Sequence, residues 1–158
     1  MKKQSGILIV LGVLAGIVFA TSEKTFAASP SDGCALLTPA QVEKVVGQPF
    51  EAPKELALIP PFGQKWGSHC IYRSQKDRNV VVDFFVYVTA SPAQAKQWYD
   101  MGAAVSKKKS EPAIGDAAYV DSNGALYVLK SNVLYWISIE RGSPKQQLDL
   151  AAAVASQI

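Results

Sequence analysis

Apolar residues alternate through "NVVVDFFVYVTA": Val80, Val82, Phe84, Val86 and Val88 fall on one side of an extended chain, and Val81, Asp83, Phe85 and Tyr87 on the other. A period of two predicts a strand, and the unbroken apolar side predicts that this side faces a core. "SHCIYRS", Ser68 to Ser74, reads as the hairpin partner across the polar turn "QKDRN". Further on, "ALYVLK" (Ala125 to Lys130) and "VLYWISIE" (Val133 to Glu140) are separated only by Ser131 and Asn132, which predicts a tight hairpin. "DAAYV", ending at the turn "DSNG", predicts a short strand ahead of it.

Three strings interrupt this pattern: "TPAQ" at Thr38, "SPAQ" at Ser91 and "SPKQ" at Ser143. In each, a hydroxyl can cap exposed amides, proline fits the first helical position because it has no N–H to leave unpaired, and glutamine can reach back to close a capping box. Helices are therefore predicted from Pro39 to about Val46, stopping at Gly47; from Pro92 to about Val105; and from Pro144 to about Ser156. Alanines at helical spacing in the last one predict close packing on a sheet.

The predicted order is helix, two strands, helix, about three strands, helix. This is an α+β domain with an antiparallel sheet of about five strands and three helices (α-ββ-α-βββ-α). A hairpin followed by a capped helix occurs twice, over Cys70 to Val105 and Ala125 to Ile158, which raises an internal duplication as one reading and two generic motifs as the other. The segment Gly47 to Gly67 is rich in proline and glycine and reads as a long loop, with room for a short edge strand.

The N-terminus decides the compartment. Met1, Lys2 and Lys3 form a positive start, and Ile7 to Ala20 is an uncharged apolar run too short to span a bilayer as a stable helix. This predicts a signal peptide over residues 1–27, cleaved after Ala27 or alternatively after Ala20, and a single exported domain over residues 28–158, in the periplasm or outside the cell. Losing Lys2, Lys3, Glu23 and Lys24 takes the formal charge from +3 to about +1, so no general affinity for nucleic acid follows. No stable membrane insertion is expected after cleavage.

With export, the two cysteines acquire a meaning. Cys34 follows Ser31-Asp32-Gly33 and not the apolar run, which argues against a lipid anchor, and the economical reading is a Cys34–Cys70 disulfide. Catalytic material is sparse. The single histidine, His69, neighbours Cys70 on a strand, so the two side chains point to opposite faces and are badly placed for a thiol–imidazole pair. One histidine and two distant cysteines give no metal-site spacing, and no cofactor motif is present. His69 reads as a surface residue beside the bridge.

Asp83, Asp116 and Glu140 are the carboxylates that an enzyme could use, with Asp83 more simply a marker of the solvent side of its strand and Asp116 first a turn residue. The aromatic set is more informative. Phe85 and Tyr87 lie on the non-core side of their strand, and Trp66 lies in the proline-rich loop. With Asp116 they form a candidate binding surface, unless a helix covers that face and makes the rings ordinary core. Lys107, Lys108 and Lys109 could meet an acidic partner or simply be solvated.

"CALLTPAQVEKVVGQPF", then "CIY" in a strand, then "AIGDAAYV" before a hairpin and an alanine-rich last helix together resemble small exported proteins and lipoproteins of actinobacteria, of unknown function. That family opens C-x-L-L-T, carries a second cysteine before an aromatic residue, and later shows G-x-G-D-x-A. The resemblance implies Cys34 with Cys70 as the bridge, Thr38 as a helix start, and Gly115, Asp116 and Ala118 as a second landmark. It implies no catalytic residues. This chain departs from the family in the spacer before Cys34 and in Ala113, where the family tends to have glycine. The function expected is therefore non-catalytic binding of a protein or cell-envelope component; the alternatives are a small carboxylate-dependent hydrolase and a secreted inhibitor that inserts the Gly47–Gly67 loop into a cleft.

Overall fold

A computed structural model describes residues 33–58 and 66–158, with the side chains of Ala57 and Trp66 excepted. The predicted signal peptide lies outside the described residues. A single 3-10 turn, Gly33–Leu36, leads into α1 (Pro39–Val46). Then come β1 (Lys54–Leu58), β2 (Trp66–Arg73), β3 (Val81–Val88), α2 (Pro92–Val105), β4 (Ala117–Val120), β5 (Leu126–Lys130), β6 (Val133–Ile139) and α3 (Pro144–Ala155). The strands form one antiparallel sheet of six, in the order β1-β2-β3-β6-β5-β4. The sixth strand beyond the expected five is β1, the short edge strand within the Gly47–Gly67 segment.

All three hydroxyl residues cap their helices. Thr38 and Ser143 accept from the amide of the glutamine three residues on, whose side chain returns to the capping amide. At α2 the Ser91 hydroxyl accepts from the Gln94 amide, while the Gln94 side chain accepts from Ala90, one residue earlier than a capping box requires.

The side of β3 expected to be core is core: Val80, Val82, Phe84, Val86 and Val88 are all buried. They join Cys70 and Tyr72 of β2, Tyr135 and Ile137 of β6, and Leu126 and Val128 of β5. α1 and α3 cover this face, contributing Val42, Leu150, Ala151 and Val154. The Tyr135 hydroxyl donates to the Ala151 carbonyl at 2.7 Å, and the Tyr72 hydroxyl donates to the Leu37 carbonyl, so both large phenols in the core are satisfied. Cys34 and Cys70 form the disulfide, with Cα atoms 5.6 Å apart, tying the first turn to the centre of β2.

α2 lies on the opposite face. Its Tyr99 meets Tyr119 of β4, which points away from α3 and is 2 % exposed. The strands have the arrangement a duplication would give: each half runs three strands into a helix, and the halves meet at the β3–β6 pair. The helices do not follow it, because a two-fold through that pair would put α2 and α3 on the same face.

Candidate functional site

The register builds an uninterrupted row across the second face. Leu56 pairs with His69, His69 with Phe85, Phe85 with Trp136, Trp136 with Tyr127 and Tyr127 with Tyr119, one residue from each of the six strands. Side chains directly opposite on neighbouring antiparallel strands are close enough for their rings to meet. His69 and Phe85 stack with centroids 3.7 Å apart, Phe85 and Trp136 at 4.2 Å, Trp136 and Tyr127 at 5.7 Å, and Tyr127 and Tyr119 at 4.8 Å. Tyr87 joins from the next row, its centroid 5.7 Å from Trp136. A Cβ at Gly67, across the strand from Tyr87, would come within 2.6 Å of the Tyr87 ring, so glycine makes the space that ring occupies.

Over the β4–β6 end of this ladder α2 closes a cavity of about 220 Å³, lined by Tyr87, Leu134, Trp136, Tyr127 and Tyr119 from the sheet and by Trp98, Tyr99 and Gly102 from the helix. No charged side chain lines it. Burial raises the phenol pKa values of Tyr87 and Tyr127 and, with Tyr119, Glu111 and Asp100 nearby, pushes Tyr99 up to about 12. These hydroxyls therefore stay protonated, with that of Tyr127 hydrogen-bonded to Asp121. Gly102 contributes room here too, since a Cβ would stand 3.2 Å from the Tyr119 hydroxyl.

The face that sequence reasoning left open between surface and core is thus divided. Phe85 and Tyr87 are half-buried members of the ladder, neither an open patch nor sealed core. Trp66 is the first residue of β2, opposite Val88, and so belongs to the sheet and not to the preceding loop. Asp116 sits elsewhere. Its carboxylate accepts from the Ser131 amide at 2.6 Å and from Lys130 Nζ at 3.2 Å, which locks the β5–β6 turn where Ser131 has φ of +53°. These contacts, the amide first, hold its pKa below the ordinary carboxylate value.

His69 is no surface histidine: its Nε2 lies 2.7 Å from Asp83 Oδ1, with side chains 15 % and 25 % exposed. Asp83 accordingly has a partner and does more than mark a solvent side. Asp116 does not join them, and Glu140 follows Ser138, the pairing partner of Asp83, by two residues. Glu140 lies past the end of β6, while Asp116 is near its start, roughly 20 Å away by strand rise. Among the described residues no three of His, Cys, Asp and Glu converge as metal ligands. Lys108 pairs with Glu111 at 2.7 Å and stands over the Tyr119 ring, and the Lys109 amide donates to Val120, so the lysine run is built into the edge of the sheet.

Sequence reasoning missed the ladder, though part of it was accessible. A two-residue turn at Ser131-Asn132 sets Lys130 opposite Val133, which forces Tyr127 opposite Trp136.

Compared with known proteins, the chain matches no family model and no curated protein. Its fold is similar to that of the extracellular domain of PknH from Mycobacterium tuberculosis, with a TM-score of 0.62 and 12 % identity, over 82 % of this chain and 96 % of that one. At that identity the likeness is one of fold. Among the described residues no helix is long and apolar enough to cross a membrane.

Proposed function

We propose that this chain is an exported, disulfide-stabilised binding domain without catalytic activity, which recognises a component of the cell envelope through the cavity between α2 and the aromatic ladder. Export is supported by the sequence of residues 1–27, by the disulfide, and by the fold it has in common with an extracellular domain. The observation that carries the binding reading is the cavity itself, a concave, largely apolar site with a few phenolic hydroxyls, the composition typical of ligand sites. An enzyme using Asp83, Asp116 or Glu140 would bring at least two of them to such a site, and none of them lines it.

Affinity capture from the native envelope, with the chain as bait, tests this. The wild type should retain a component that Tyr99→Ala, which strips one wall of the cavity, does not. Equal retention by both would place recognition elsewhere.

A further inference from the structure

Resting on that reading of the cavity, a ligand class follows from its walls. We propose that the cavity takes a neutral, planar, fused-ring aromatic molecule, which slides beneath α2 and lays its face on the ring edges of the ladder.

Size sets the scale. A cavity of about 150 Å³ accommodates one benzene ring; the volume here, about 220 Å³, leaves room for a second fused ring. Orientation sets the chemistry. Phe85, Trp136, Tyr127 and Tyr119 stack along the row with interplanar angles of 9–25°, so their faces are taken by one another. Side chains on a strand stand roughly perpendicular to the sheet, and the parts of these rings that look toward α2 are edges. An aromatic edge carries the positive rim of the quadrupole and attracts a π face. An edge-to-face pair already joins α2 to the ladder, where Tyr99 meets Tyr119 at 65° and 5.4 Å.

Other classes fit less well. A sugar stacks on an open ring face, and the ladder offers none within the row. An alkyl chain would fill the space but gain nothing from the edges. An ion would enter a lining without charge, and the nearby Lys108 is already paired with Glu111. The phenols of Tyr87 and Tyr99 suit a carbonyl or hydroxyl on the rim of the guest.

The full chain is titrated by calorimetry with four probes: naphthol, its saturated counterpart decahydronaphthol, decanol and naphthalenesulfonate. Naphthol should bind about tenfold more tightly than decahydronaphthol or decanol, from several edge-to-face contacts. It should also bind about a hundredfold more tightly than the sulfonate, which would bury an unpaired charge. Gly102→Leu, whose side chain occupies the cavity, should abolish naphthol binding; Tyr99→Ala, if the leucine variant does not fold, should weaken it about threefold or more. Equal or tighter binding of decahydronaphthol or decanol overturns the aromatic class while leaving the cavity as the site. Preference for the sulfonate overturns neutrality. If no probe binds, the ligand class fails, and capture then separates the two readings: retention still lost in Tyr99→Ala keeps the cavity, and unchanged retention removes both.

Discussion

At the residue scale, Asp116 and Phe85 show how different two candidate binding residues can be once their neighbours are known. Asp116 is held ionised by the Ser131 amide and Lys130. Its folded pKa lies below the unfolded value, so its contribution to stability is full above about pH 4 and is lost as the pH falls through the folded pKa. Asp116→Asn should therefore lower Tm at neutral pH, and the gap to the wild type should close on acidification below about pH 4; a gap that stays constant from neutral to pH 2.5 would mean the charge is irrelevant. Phe85 lies between His69 and Trp136 with both faces in contact. Phe85→Ala should cost about 2–3 kcal/mol despite the ring's partial exposure. In a double-mutant cycle with Trp136→Ala, the coupling should be about 1 kcal/mol, measured by denaturant unfolding.

At the element scale the sequence was most legible where the physics is local. The caps at Thr38, Ser91 and Ser143 and the alternation of β3 depend on neighbours a few residues away, and each element formed where the pattern placed it. β1 was harder to read because "KELAL" joins strongly polar residues to a short apolar end, and it becomes a strand only by pairing with β2. His69 and Asp83 are 14 positions apart and meet diagonally across β2 and β3, a contact fixed by the register and invisible to a residue-by-residue reading. The face taken by α2 was equally hidden: an amphipathic helix declares that it packs, not on which side of a sheet. One element-scale contact was readable, the link from the first turn to β2. Cys70→Ser should lower stability by roughly 3–4 kcal/mol, since 36 positions separate the two cysteines. A Tm unchanged by reductant would show that the link carries little.

At the scale of the whole molecule the sheet serves two cores. One face holds the aliphatic core beneath α1 and α3, and the other holds the ring ladder that runs from β2 to β4 and passes under α2. With β2 to β6 each contributing to both, the two sides share the same strands. Val42→Ala under α1 and Tyr99→Ala under α2 should each shift one cooperative transition, superimposable by far-ultraviolet circular dichroism and tryptophan emission. Separate transitions for the two signals would show instead that α2 and its rings form an independent unit.

The two rims of the sheet are not equivalent. Beyond β4 the chain doubles back, and Lys109 and Ser110 occupy the outward main-chain groups of Val120. Among the described residues nothing pairs in this way along β1. A visiting strand would find the outward groups of Val120 already taken, and one that settled along β1 would consume the acceptor there. Self-association by that route would end with two copies back to back, leaving no template on which a filament could lengthen.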